Sequence, residues 1–451
     1  MIFGGYATPF DILNAEIRQL EYEGFIVSQV AKDAYAALKP GDAYDEKKIS
    51  KVARMLAKSK RDMRFPYVQP NGLEEIRKVR PNGPRILKSE FNDDELFDHL
   101  HGAVTGRCVG CALGKPVENR KRDFIKENLQ KVGHWPLDYY FSEKGDFGCP
   151  PSRRENIAYM EFDDDIQYTL IGLKVLESDK GPNFTWDHVA WTWGQSLHVN
   201  AIFTAERQAL LNFHNYNPRG VMSPLTADFT STHNNPCREW IGAQIRADGW
   251  AYCCAGNPEL AAEFAWRDAC WTHRANGIYG EMFAAAVIAA AFVEKDPAKL
   301  VEIGLSEIPA NCRLAEEIRW ALKTIPACPG FEDFMDRLDE RFKDMDRIHT
   351  VNNMLIVVMS LFYGKMDLDK SACVSVMAGY DTDCNGATVG SIIGAAHGKA
   401  KLGGKLAEPL NDTIKTFVFG FPETITMTEI AQRCLKQWRR ISEWEKAGRP
   451  A

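Results

Sequence analysis

The chain has 451 residues, 45% of them apolar and 26% charged, an ordinary globular balance that excludes wholesale disorder and allows a full hydrophobic core. A formal charge of −6 argues against a binder that works by neutralising phosphates, so no nucleic-acid partner is expected. The twelve cysteines lack the spacing of a disulfide scaffold and suit a reducing, cytoplasmic setting.

The opening MIFGGYATPFDILNAE has neither a basic leader nor a long apolar stretch and does not read as a secretory signal. From Asp11 to about Leu38, apolar residues at helical intervals predict two helices broken near Gly24. Glu46 to Asp94 is more charged and predicts a helix followed by an irregular connector carrying Pro66, Pro70, Pro81 and Pro84. The basic group Lys58, Lys60, Arg61 and Arg64 reads as a solvated helix face in preference to a phosphate contact. From Leu96 onward, small-residue helices alternate with Gly, Pro and Asn turns, and few segments show the two-residue alternation of strands. Starts are predicted near Asp98, Glu161, Thr185, Ile202, Cys237, Pro258, Gly280, Pro297, Ala315, Phe331, Asn353, Asp369, Cys384 and Met427. The longest apolar run, Met282 to Val293, has 12 residues against the roughly 20 needed to span a bilayer, so it reads as a buried helix and no membrane is implied. The expected fold is all-α: a compact helical domain over 96–451 with a helical N-terminal extension over 1–95.

Glycine recurs every four residues in two places. Gly102, Gly106, Gly110 and Gly114 stripe one predicted helix; Gly386, Gly390, Gly394 and Gly398 stripe another. That spacing keeps the glycines on one helical face, where a second backbone can approach. Each interior glycine costs roughly 0.5–1 kcal/mol relative to alanine, so close packing must compensate. Cys108 and Cys111 form a lone CxxC on the first stripe, read as buried thiols.

Carboxylates gather beside these stripes. Asp163, Asp164 and Asp165 stand in EFDDDIQYTL, at a helix start that attracts one negative charge but does not require three. Asp381 and Asp383 stand in GYDTDCNG, just before the second stripe. Like charges this close repel unless a cation joins them. Hard oxygen donors suit Mg2+ or Mn2+, as one ion or two. Glu118 follows the first stripe after Gly114 and Pro116, placed to move a proton to or from water or a leaving group.

Together these segments resemble the ADP-ribosylglycohydrolase family, which includes the glycohydrolase that reactivates dinitrogen reductase and the arginine- and serine-specific ADP-ribose hydrolases. GRCVGCALGKPVE is similar to the family's Gly-x-Pro-x-Glu opening, DDDIQYTL to its Thr-Asp-Asp-Thr motif, and YDTDCNGATVG to its terminal Gly-Asp-Thr-Asp-Thr motif. The resemblance implies an all-helical fold, a binuclear magnesium or manganese centre, and hydrolysis of the bond at C1 of the distal ribose of ADP-ribose. It carries catalytic roles to Glu118, Asp164 and Asp381, and metal ligation to Asp163, Asp164, Asp165, Asp381, Asp383 and Cys384. Five positions depart from the motifs: Asp163 and Ile166 replace threonines, Tyr380 a glycine, Cys111 the acidic residue often found after the glycine of the first motif, and Cys384 a threonine by a softer thiol, either a ligand or a small packing residue beside the site.

The implied mechanism holds the ribose hydroxyls on metal beside an activated water, with carboxylates moving protons and stabilising an oxocarbenium-like transition state. His233, Asn234, Arg246, His273 and Tyr279 are the expected substrate contacts, a guanidinium suiting pyrophosphate and a tyrosine ring a base. Trp186, Trp191 and Trp193 read as packing. The expected partner is an ADP-ribosylated protein or a ribosylated small molecule. Two other readings stay open, a hydrolase of a non-ADP-ribosyl N-riboside and a non-enzymatic binding or structural protein on the same fold.

Overall fold

The computed structural model describes residues 7–87, 91–216 and 225–450, and over these the chain is predominantly helical. At its centre two antiparallel helices, Asp93–Gly114 and Thr382–His397, lie backbone against backbone. A Cβ added to Gly102 would stand 2.6 Å from the Gly394 carbonyl oxygen; on Gly106 and Gly110 it would overlap the carbonyls of Gly390 and Gly386 outright. Gly114 closes the series against Thr382 and Asp383. Both stripes thus face each other, as the spacing predicts.

Around this pair lie the fully buried helix Asn276–Ala291, which contains most of the apolar run, together with Ala247–Tyr252 and Thr350–Tyr363. Asp93–Gly114 begins earlier than expected because Asn92 and Glu95 form a capping box, Asn92 Oδ1 accepting from Glu95 N at 2.9 Å. No helix begins at Cys237. The backbone there is recruited elsewhere: Trp240 bridges His349, Ile241 N donates to Ile348 O at 2.9 Å, and helix resumes only at Gln244. The helix Arg122–Lys131 and the hairpin of Thr413–Lys415 with Thr424–Thr426 go unpredicted. Among the described residues no helix is long and apolar enough to cross a membrane, and the cysteines are free thiols.

The N-terminal residues build a small cluster of their own. Helices Pro9–Tyr22, Gln29–Ala36 and Glu46–Leu56 pack Leu13, Ile17, Leu20, Val27, Ile49, Val52 and Leu56 together. The break near Gly24 is a short strand, Phe25–Ile26, paired with Lys60–Arg61. The basic group therefore lies past the end of its helix, partly on a strand, and not on a helix face. The connector is strapped down by polar contacts: Arg85 Nη1 meets Glu307 at 2.7 Å and Asn276 Nδ2 donates to Gln69 at 3.1 Å.

Because the helix contact is backbone to backbone, one methyl group is enough to disturb it. Gly110→Ala should lower stability by about 3 kcal/mol, the upper range for overpacking. Gly41→Ala, with nothing within 4 Å of the added Cβ, should leave the denaturation midpoint nearly unchanged. Urea unfolding of the two variants beside the parent checks both.

Candidate metal centre

The glycine contact places the start of one striped helix against the end of the other. Thr382 Oγ1 donates to Gly114 O at 2.8 Å, so Asp383 sits beside the turn Lys115–Val117 from which Lys115 and Glu118 project. Just before it, Gly379 and Tyr380 have φ of +72° and +69°. A Cβ at Gly379 would stand 2.9 Å from Arg120 O, so only glycine fits there. Tyr380 tolerates the left-handed backbone that disfavours side chains because its ring is clamped. Its hydroxyl donates to Asp339 at 2.8 Å and the Arg347 guanidinium lies 4.1 Å above the ring centre. Asn353 Oδ1 then accepts from Asp381 N at 3.2 Å and Asn385 Nδ2 at 2.8 Å, fixing the acidic loop.

The other carboxylates come from the start of Asp164–Glu177. Asp163 is its extended N-cap, with Oδ1 accepting from Asp165 N at 3.0 Å. Its Oδ2 pairs with Lys115 Nζ, which also donates to Phe162 O at 3.1 Å. Asp164 faces a cavity. Asp165 turns inward: Oδ1 lies 3.3 Å from Arg107 Nη2, and Oδ2 accepts from the Cys384 thiol at 3.2 Å. Two groups of side chains have ligand atoms within 4.8 Å of one another, Cys111 with Asp163 and Asp165, and Asp381 with Asp383 and Cys384.

The cavity, about 580 Å³, is lined by Glu118, Asp163, Asp164, Asp381, Asp383 and Cys384, six of the seven residues expected from the motifs. Asp165 lies behind this wall. Lys115 and Glu206 also line it and were not anticipated. Lys115 was visible in sequence as a charge inside the GKPVE motif, whereas Glu206 has no local signature. Phe162, 53% exposed, and Phe203, 48% exposed, stand at the rim, and the Phe417 ring meets Phe162 edge-on at 5.3 Å.

Burial and the crowding of like charge together set the electrostatics. The Asp383 charge, with burial and Asp163 adding to it, pushes Glu118 up to about 8; because Glu118 opens to solvent at the rim, the neighbouring carboxylate matters more than desolvation. Burial and then Asp163 lift Asp383 to about 6. Burial and like charges raise Asp164, Asp165 and Asp381 well above the carboxylate range. Asp163 alone is lowered, the Lys115 ammonium overcoming the cost of its burial. Burial also raises the Cys384 and Cys111 thiols, which are softer donors than the carboxylates around them. Asp381 Oδ1 and Asp383 Oδ1 are buried without a hydrogen-bond partner, and such oxygens fit a divalent cation.

The expected substrate residues lie elsewhere. Arg246 is fully buried, with Nε 2.7 Å from Asp268 and Nη1 3.1 Å from Glu206, so it supports the cavity wall from behind. His273 is sealed beside it, held neutral by burial and by Arg246. Tyr279 is buried and its hydroxyl donates to Pro70 O. His233 stacks on Phe229. Asn234 lines a smaller cavity of about 240 Å³ that shares Thr204 with the main one. Trp193 packs inside against Tyr168 and Trp271, as expected of a core ring.

A solved structure described as an ADP-ribosylglycohydrolase-related protein complex is 18% identical, with a TM-score of 0.49, covering 77% of this chain and 99% of that one. No curated protein matches the chain. The family model described as ADP-ribosylglycohydrolase matches residues 92–442, which hold both striped helices and all three motifs, and the chain belongs to that family.

Proposed function

We propose that this protein is a divalent-metal-dependent hydrolase that cleaves the C1 bond of an ADP-ribosyl or related ribosyl substrate. The observation that carries the reading is the pair of unpartnered buried oxygens on Asp381 and Asp383 in a cavity shared with Asp164 and Glu118. Asp164, Asp381 and Asp383 would hold Mg2+ or Mn2+, which when bound supplies charge neutralisation, an anchor for ribose hydroxyls and a more acidic water.

The chain's own groups do the rest. Glu118, near neutral pKa at the rim, moves a proton between the attacking water and the leaving group. Asp164 places negative charge beside the ribose, where positive charge develops as the C1 bond breaks, while the Asp163 charge is met by Lys115. Phe162 and Phe203 offer exposed rings for a base or other flat group. Asp165 and Arg246 act as supports, since both are buried and internally paired.

The charge of the lining favours a second reading of the substrate. Among the described residues it carries six carboxylates, Glu118, Asp163, Asp164, Glu206, Asp381 and Asp383, against one ammonium, Lys115. Such a wall suits a neutral riboside better than one burying a pyrophosphate. A panel of ADP-ribosyl amino acids, ADP-ribosylated proteins and simple N-ribosides, assayed with chelator and with added metal, separates the two. Metal-dependent release of a ribose-containing product is expected, abolished by D164A and D383A. No turnover of any member under metal-replete conditions, combined with unchanged metal binding in the two variants, would overturn the enzymatic and site assignments. Glu118→Gln should lower kcat by about 10²-fold while leaving metal binding intact.

The raised carboxylates also set a pH dependence. From about pH 5, folded Asp383 up to about pH 6 and folded Glu118 up to about pH 8 retain protons that the unfolded chain has lost. Fewer protons on the unfolded state mean that stability falls as pH rises. The metal-free protein should therefore lose stability across this window, and a bound divalent ion should reverse the trend. Thermal unfolding is expected to show a larger Mn2+-induced rise in Tm at pH 8 than at pH 5.5. A larger rise at pH 5.5 would contradict the assignment.

A further inference from the structure

The two candidate ligand groups differ in what already neutralises them. In the first, every carboxylate oxygen has a partner. Asp163 uses Oδ1 to cap its helix and Oδ2 to hold Lys115, whose side chain is only 15% exposed and is anchored again on Phe162 O. Asp165 faces Arg107 through Oδ1 and accepts the Cys384 thiol through Oδ2. In the second group, Asp381 and Asp383 are 5% and 3% exposed, and each keeps one buried oxygen without any donor. Asp164, on the cavity wall beside them, pairs with no Lys, Arg or His among the described residues. Two buried carboxylates without a cation are strongly destabilising. The demand for a divalent ion is therefore concentrated on one side of the cavity.

We propose that Lys115 is a built-in cation that serves the Asp163 side of the centre, so that the protein binds a single divalent ion, held by Asp381 and Asp383 with Asp164. Asp163 stands where the motif has a neutral threonine, and the carboxylate it adds is met by an ammonium from the Gly-Lys-Pro turn. The ammonium is fixed by two oxygens, and its charge repels a second cation from the oxygen it occupies. Arg107 does the same for Asp165 from the opposite side. This inference rests on the metal-dependent reading above.

The test counts ions. The full-length protein, stripped with chelator, is loaded with excess Mn2+, desalted and analysed by elemental mass spectrometry and electron paramagnetic resonance. One Mn2+ per chain with the hyperfine pattern of an isolated ion is expected. K115A and K115M, which remove the ammonium with and without the stem, should bind two ions per chain and show an exchange-coupled spectrum, whereas K115R should still bind one. Two ions in the unmodified chain, or one in both K115A and K115M, would overturn the role of Lys115 and leave the metal-dependent activity standing. No bound Mn2+ in the unmodified chain would overturn both, so the two failures are told apart without any assay of turnover.

Discussion

The contact between the backbones of Asp93–Gly114 and Thr382–His397 is the constraint on which the rest of the molecule depends. Glycine carbonyls on one helix fill the space where side chains would stand on the other, step by step from Gly102 against Gly394 to Gly114 against Thr382. Removing side chains costs helix propensity at every step, and what it secures is a fixed axial register. A shift of a single residue would bring Arg107 or Val109 onto the contact face. Register is what makes chemistry possible here, because it sets the end of one helix, with Lys115 and Glu118, against the start of the other, with Asp383.

From that arrangement follows an electrostatic problem. Burying several carboxylates together is costly unless each finds a cation or a proton. The molecule uses different answers in neighbouring places. Asp165 is given Arg107, which also binds Asp248 at 2.6 Å. Asp163 is given Lys115. Asp381, Asp383 and Asp164 are left to protons or to an external ion, which is the property a metal centre needs. The Cys384 thiol donates to Asp165 and also lies within 4.8 Å of ligand atoms of Asp381 and Asp383, so it joins the two groups.

Much of this was legible in sequence because it is local or periodic. The four-residue glycine spacing predicts the helix contact, and the acidic motifs predict which carboxylates share a cavity. The substrate residues fared differently for a physical reason. Arg246, His273 and Tyr279 are polar residues in segments that look functional, yet each finds its partners in the interior, and burial depends on the whole fold and not on neighbouring letters. Glu206 reaches the cavity because Arg246 holds it there, a pairing across forty positions that no motif announces. Cys237 illustrates the same limit at the level of backbone, since its helical pattern is overruled by the bridge to His349.

The N-terminal extension joins the site through a similar chain of distant pairings. Glu16 and Glu23 on and just after its first helix grip Arg238, at 2.7 Å and 2.6 Å, and Gln19 donates to Glu239 at 2.9 Å. Glu239 in turn faces His349 at 3.7 Å, and the backbone beyond it pairs with Ile348. Ile241, Gly242 and Ile348 are cavity-lining residues. The extension therefore does not reach the carboxylates itself. It clamps the two bridged segments that contribute Ile241, Gly242 and Ile348 to the cavity lining, and Arg238, buried at 3% exposure, leaves two glutamates of the extension little freedom to move away. A buried guanidinium that loses its carboxylates is far costlier than the pair is favourable, so the wall of the cavity and the docking of the extension are held or lost together.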